Sequence, residues 1–393
     1  MRRWLLLLLV LLAACSSASP QPDNNVPQNA PTVVAPTEYA EGDQPITLGS
    51  VASVKYLGRL DPPGTLSTLF SAALSPDDSR LVALNNEEIL GWNLLTGALL
   101  FQTSRSGATH LFYSPDKTEL YTVDDSGLVA VYDANKGAAK TTFQGEGAYG
   151  GVVAFSPDDG WLALGGTDGT VKVWDTYARQ ALATITAQTG TVTALAFSSD
   201  GSQLATAGDE GTVRVWNWRS RSLIAETKLD TPISIRALAF SPDASLLAVG
   251  TDRDARLWSM QTPSQIDSLS VGRGGASQIL AFSPDGHYLL AGNQTAGLSL
   301  WTPVDHTLAA RLPDTQGNSL GASFSPDGKL LLTSLLDGGV ALWNLTQITG
   351  QTVNEAALNV GTTQIVDVLW TDDSRLMLFF DAGGPVYVWG MGK

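Results

Sequence analysis

The feature that most constrains this chain is a pair of residue columns, 18 or 19 positions apart, that recurs along most of its length. Large apolar residues stand at Leu74, Tyr113, Phe155, Phe197, Phe240, Phe282, Phe324 and Trp370. An aromatic follows each of them, at Trp92, Tyr132, Trp174, Trp216, Trp258, Trp301, Trp343 and Trp389. The distance from Trp92 to Trp389 is 297 residues in seven intervals, a period typical of small repeated sheets of about 40–45 residues. One unit that size cannot bury its own apolar faces, so the copies must pack on one another.

Residues 191–223 show the unit clearly. Residues 192–197 alternate apolar with small or polar side chains, the period of a strand, here strand a. A turn follows at 198–201; its sister copies read Ser-Pro-Asp-Gly at 283–286 and 325–328, the chemistry of a type I turn closed by glycine. Strand b is expected at 203–207 and strand c at 212–216. They are joined at Glu210-Gly211, a hairpin signal repeated at Asp168-Gly169 and Asp337-Gly338. A weaker strand d is expected at 222–227. These readings predict an all-β protein made of eight four-stranded antiparallel blades, with a seven-bladed ring as the alternative.

The Ser-Pro-Asp-Gly turns, the Asp-Gly hairpins and the run Val-Lys-Val-Trp-Asp at 171–175 resemble the WD40-repeat β-propeller family over about 340 of the 393 residues. The resemblance implies a closed propeller that recognises other proteins. Only Trp174-Asp175 is a literal Trp-Asp pair, and the Gly-His pair that family members often carry before strand a is absent from every copy. Gln188 lies near that place in the fourth unit. The family's Asp–His–Ser/Thr–Trp hydrogen-bond network is therefore expected to be incomplete, with apolar packing carrying more of the load.

Residues 1–14 have the layout of a secretory signal: Arg2 and Arg3, an apolar run too short to span a bilayer as a helix, then Ala13-Ala14 before Cys15. Leu-Ala-Ala-Cys at 12–15 resembles a bacterial lipobox, which implies acylation of Cys15. Cys15 is the only cysteine, so no intrachain disulfide can form. Residues 15–45 are rich in Pro, Asn, Ser and Ala without a hydrophobic period and read as a flexible tether. The propeller is then expected at 46–393. No first turn precedes residues 46–60, and the eighth unit ends after its strand c. Residues 51–60 are thus expected to supply the missing strand beside Trp389 and close the ring, leaving only short protected edges.

With residues 1–14 removed, 21 basic residues face 38 acidic ones. That balance argues against nucleic acid or bare anionic membrane as the main partner. Catalytic chemistry finds little support. The histidines are His110, His287 and His306; His110 falls in a strand, and the other two lie near Asp285 and Asp305 in a spacing that matches no zinc motif. No Gly-rich phosphate loop joins a strand to a helix. The expectation is a protein that is not an enzyme, binds no cofactor or metal, and exists as a monomeric propeller.

Binding is better supported, because copies within one chain can be compared. Four residues before the first-turn column stand Phe70, Thr109, Gly151, Thr193, Arg236, Gln278, Leu320 and Val366, a chemically varied set on the innermost strand. Arg236 and Gln278 are candidates for contacts at the channel mouth. The c–d turns of the first two units use Thr96-Gly97 and Lys136-Gly137. Those of the third and fourth carry Tyr177, Arg179, Trp218, Arg219 and Arg221 instead. Adjacent blades place that group on one side of the disc, where it either docks a protein partner or pairs with turn aspartates such as Asp158 and Asp200. Three function classes follow. The leading one is a noncatalytic scaffold, lipid-anchored on the outer side of a bacterial membrane, that binds protein. The second is an assembly factor resembling the propeller lipoprotein of the outer-membrane barrel-assembly machinery, and the third is a propeller enzyme or ligand receptor.

Overall fold

Alternation along the second strand of each repeat sends neighbouring side chains to opposite faces of a sheet, and both sets are buried. In Arg80–Leu84, Leu81 and Ala83 pack toward one neighbouring sheet while Val82 and Leu84 pack toward the other. A strand buried on both faces needs a sheet on each side, a condition every blade of a closed ring meets.

The computed structural model describes residues 45–391 except 48–49, 51–52, 64–67, 115, 146–148, 158–159, 230–232, 262–265, 270–278, 294–296, 314, 316–320, 336, 350–351 and 359–363. Cys15 and the expected signal and tether lie outside the described residues, apart from position 45. The described residues form eight four-stranded antiparallel sheets, the blades of an eight-bladed propeller. Blade 3 comprises Tyr149–Phe155, Trp161–Gly166, Thr170–Asp175 and Gln180–Thr186. Blade 4 comprises Val192–Phe197, Gln203–Gly208, Thr212–Asn217 and Ser222–Lys228. The eighth takes Ile365–Trp370, Leu376–Asp381 and Val386–Met391 from the end of the chain and Val54–Leu60 from its start.

That last pairing closes the ring as the sequence predicts. Val54–Leu60 runs antiparallel to Val386–Met391, with Tyr56 opposite Trp389 and Leu60 opposite Val386. Ile46 is buried nearby, and its N–H donates to the carbonyl of Ser374 at 2.8 Å. Core clusters sit between consecutive blades all the way round, including one in which Leu60, Leu378 and Val388 of blade 8 meet Leu81, Leu90 and Trp92 of blade 1. No single core exists; each blade interface is a core of its own.

The first turns are built alike. Ser198 Oγ donates to Asp200 Oδ1 at 2.6 Å, and the N–H of Gln203 donates back to Ser198 Oγ at 2.9 Å. The same Ser/Thr–Asp bond recurs at Ser75–Asp77, Ser114–Asp116, Ser241–Asp243, Ser283–Asp285, Ser325–Asp327 and Thr371–Asp373. The bonds from Ser198 and the Ser202 amide hold the Asp200 carboxyl below its ordinary value, and that from Ser241 does so for Asp243. At Asp77 desolvation works the other way, but Ser75 and Ser79 outweigh it and bring the carboxyl to about 2. Gly201 is a position glycine has to fill: its φ is +67°, and a Cβ there would meet the Trp161 ring at 2.9 Å.

The aromatic column divides in two. Trp92, Tyr132, Trp258, Trp301 and Trp343 are buried, whereas Trp174, Trp216 and Trp389 are half-buried, so Trp216 is not the core anchor its column suggests. In blade 4 a glutamine-centred network stands in the place of the family's Asp–His–Ser/Thr–Trp network. Gln188 Nε2 donates to Thr206 Oγ1 at 2.7 Å, and Trp216 Nε1 donates to the same oxygen at 3.2 Å. Arg214 Nη1 donates to Gln188 Oε1 at 2.6 Å. A carboxamide carries a donor and an acceptor, as a neutral imidazole does, so glutamine connects the strands without the histidine.

Candidate docking surface on blades 3 and 4

In blade 4 the c–d turn spans the residues between Asn217 and Ser222, and that of blade 3 those between Asp175 and Gln180. Gly97 and Gly137 occupy the fourth place after strand c in blades 1 and 2, with φ +67° and +63°. The third, fourth and sixth blades keep that left-handed backbone but put Arg179 (φ +54°), Arg221 (φ +58°) and His306 (φ +53°) there. For a residue with a Cβ this conformation costs roughly 1–2 kcal/mol. The arginines thus replace glycine against a local penalty.

The five residues expected to act together separate into different roles. Trp218 is 2% exposed, too buried to meet a partner directly: its indole packs between Trp161 (centroids 5.2 Å apart) and Phe197 (6.3 Å), and its Nε1–H donates to Gly201 O at 2.9 Å. The sequence signal was misread because the first residue after strand c falls under the turn, where a large ring fills the gap between blades. Arg179 is engaged as well. Its Nη2 donates to Glu119 Oε1 at 2.7 Å and Oε2 at 2.8 Å. Lys140 Nζ lies 3.2 Å from Glu119 Oε1, and the Tyr121 hydroxyl 3.0 Å from Oε2. Desolvation of Glu119 is outweighed by these bonds, which hold its carboxyl below the ordinary value. Among the described residues the carboxylate partner of Arg179 is therefore a strand residue of blade 2 and not a turn aspartate such as Asp200; Asp158 lies outside the described residues.

Arg219, Arg221 and Tyr177 stand at the surface, Tyr177 57% exposed. The Arg219 guanidinium carbon lies 4.2 Å from the Trp161 ring centroid and 4.4 Å from that of Trp218. The buried tryptophan and its neighbour thus form a platform for an exposed cation. Among the described residues Arg221 Nη2 reaches the backbone carbonyl of Leu182, at 3.4 Å. Among the described residues neither Arg219 nor Arg221 is paired with a carboxylate. Beside them Leu182, Leu223 and Ile224 are 41%, 47% and 49% exposed, three aliphatic residues that sequence reading passed over. Their signal was present, an aliphatic residue at the third position of the outer strand in two consecutive repeats, yet it is indistinguishable from ordinary strand content.

At the other expected surface, Arg236 is exposed on strand Ile235–Phe240, and Gln278 lies outside the described residues. The varied column there coincides with register irregularities in strand a, between Ala108 and His110, Val192 and Ala194, Ile235 and Ala237, and Ile365 and Asp367. A bulged residue makes no ladder pair, which accounts for the variety without a ligand. Desolvation brings the His110 imidazole down to about 4, leaving it neutral at pH 7, and Thr109 Oγ1 lies 3.0 Å from its Nδ1. His287 Nδ1 lies 3.0 Å from Asp285 Oδ2. Among the described residues no three His, Cys, Asp or Glu side chains gather as a metal site, and no helix is long and apolar enough to cross a membrane.

A family model of the nucleolar protein 10-like N-terminal domain, a β-propeller, matches residues 68–304, more than half of the sequence. The chain belongs to that β-propeller family. A WD-domain G-beta repeat model matches residues 314–344, a range that includes the strands Ala322–Phe324 and Leu330–Ser334 of blade 7. No curated protein matches the sequence. Among solved structures the chain is similar to the computationally designed Ika8 protein, at 21% identity and a TM-score of 0.69 over 84% of this chain and 98% of that one. It is also similar to Sqt1 from Chaetomium thermophilum, at 18% identity and a TM-score of 0.68 over 86% and 99% of the two chains. The C-terminal WD40 domain of Sif2 aligns at 14% identity and a TM-score of 0.66, over 86% and 99%. At these identities the likeness concerns the fold.

Proposed function

We propose that this propeller is a noncatalytic scaffold, anchored through an acylated Cys15 to the outer side of a bacterial membrane, that docks a protein partner on the turn side of blades 3 and 4. The observation that carries the docking surface is Arg221: an exposed arginine in a glycine conformation, without a carboxylate partner among the described residues, on a chain of net charge −15. Backbone cost retained without local compensation points to a use outside the fold. Arg219, supported on two indoles, and the aliphatic residues alongside supply the rigid aromatic-backed cation and apolar area that protein interfaces favour. Membrane attachment rests on the signal-like residues 1–14 and the lipobox-like Leu-Ala-Ala-Cys, and residues 15–45 would give the disc freedom to turn.

Affinity purification from native membranes tests the docking surface, comparing wild type with Arg219→Ala/Arg221→Glu, both checked for folding by circular dichroism. A partner held by the wild type and lost by the variant is expected; equal recovery of every partner moves the site elsewhere. Intact mass of the wild type tests the anchor, expected to carry acyl groups that Cys15→Ser lacks. An unlipidated wild type recovered from the soluble fraction removes the membrane from this reading.

A further inference from the structure

Resting on that docking surface, the geometry points to its ligand: we infer that blades 3 and 4 bind a linear acidic segment of a partner protein, with carboxylates on Arg219 and Arg221 and aliphatic side chains over Leu182, Leu223 and Ile224. Charge comes first. Stacking on Trp161 and Trp218 at 4.2 and 4.4 Å occupies a face of the Arg219 guanidinium and leaves its N–H edges for an acceptor. A planar fork held in place and, among the described residues, unpaired with a carboxylate suits bidentate binding of a carboxylate. Arg221 is two residues away in the same tight turn and, among the described residues, makes a 3.4 Å contact with the Leu182 carbonyl and none with a carboxylate. That contact also ties the turn of blade 4 to the outer strand of blade 3, which carries Leu182.

The way the segment binds follows from the outer strands. The pairing of Thr212–Asn217 with Ser222–Lys228 shifts between Val215 and Trp216, leaving Ile224 as the unpaired extra residue. Leu182 has the same place in blade 3, where the register shifts between Val173 and Trp174. Bulges of this kind spoil an edge as a template for another strand. They also turn Leu182 and Ile224 out of the ladder, where both are more than 40% exposed. The segment is therefore gripped by side chains and not added as a fifth strand. A chain carrying 38 acidic and 23 basic residues repels every anion at long range, and repels a short acidic peptide less than an anionic membrane or nucleic acid because the peptide carries fewer charges, so contact with the local cations can prevail.

Fluorescence anisotropy with three short labelled peptides tests this: one alternating Glu with Leu, one alternating Lys with Leu, and one alternating Glu with Ser. The full chain is compared with Arg219→Ala, Arg219→Lys and Leu223→Ser/Ile224→Ser. The Glu/Leu peptide is expected to bind, the Lys/Leu peptide not, and the Glu/Ser peptide more weakly. Arg219→Ala should weaken binding about tenfold or more, Arg219→Lys should recover only part of it because the fork is lost, and the double serine variant should weaken the Glu/Leu peptide alone. Affinity should fall as salt rises. Glu/Leu binding that ignores Arg219→Ala overturns the inference, as does equal binding of the Lys/Leu peptide. Arg219-dependent binding of anionic vesicles without peptide affinity reassigns the patch to lipid, and Arg219-dependent self-association by light scattering reassigns it to a second copy. Loss of partner capture in the Arg219 variant with no affinity for any acidic peptide overturns the peptide chemistry while the docking surface stands.

Discussion

The guanidinium carbon of Arg219 rests 4.2 Å above the ring centroid of Trp161, so an exposed cation of the fourth blade is held by an indole of the third. The second support, Trp218, is 2% exposed and bonded to Gly201 O, which separates structural from surface roles within two adjacent residues. Trp218→Ala is expected to cost about 3–5 kcal/mol through the cavity it opens, and Arg219→Ala about 0.5–1 kcal/mol. Urea unfolding measures both. Comparable losses would mean that Arg219 is a structural residue.

Arg221→Gly should stabilise the protein by about 1 kcal/mol, because the left-handed turn position then carries no Cβ and little is given up besides the Leu182 contact. Arg179→Gly should gain less, since Arg179 also bridges to Glu119. A higher Tm for the first variant than for the second is the expected order; a lower Tm for Arg221→Gly than for the wild type would show that its side chain supports the fold.

In blade 4, replacing Gln188 with Leu leaves Thr206 and Arg214 each short of a partner, while Trp216 keeps its bond to Thr206 Oγ1, and should cost about 1–3 kcal/mol. Gln188→His keeps a donor and an acceptor and should cost clearly less. Denaturant midpoints compare the two, and equal losses would mean that side-chain volume matters here and not the network.

Truncation through Leu60 removes the partner of Val386–Met391 and one member of the cluster joining blades 8 and 1. The expected result is a less stable species that self-associates through the uncovered edge, seen by light scattering during purification. A truncated chain that stays monomeric with an unchanged Tm would show that the ring does not need this strand.

The turn aspartates set an acid limit. Asp77 falls to about 2 in the folded protein against an ordinary carboxyl near about 3.9, and Asp200 and Asp243 are lowered by their serine bonds. Depressed carboxyl values mean that the stabilisation is complete above the unfolded value and disappears as pH falls through the folded one. Stability should therefore decline between about pH 4 and pH 2. Ser198→Ala should flatten part of that decline, most clearly in urea titrations repeated across this range; an unchanged slope would show that Asp200 does not contribute.

The architecture was legible in the chain because a repeat reports its own constraints. Period-two alternation, Ser-Pro-Asp-Gly turns and an aromatic 18 or 19 residues later specify a blade locally, and a repeat lacking its last strand implies where the closing strand comes from. Local chemistry is enough there, since each blade contacts only its neighbours. The surface was legible only in part. Tyr177, Arg179, Trp218, Arg219 and Arg221 stand together in two turns, but their division into a bridge to Glu119, a buried platform, a stacked cation and a cation that meets the Leu182 carbonyl depends on residues elsewhere in the sequence. Arg179 finds Glu119 60 positions away, and Arg219 finds Trp161 on the preceding blade. Sequence spacing carries the direction of a strand and the shape of a turn. Whether a side chain at a turn is buried or left in water is decided by the neighbouring blade, which only the closed ring brings into contact.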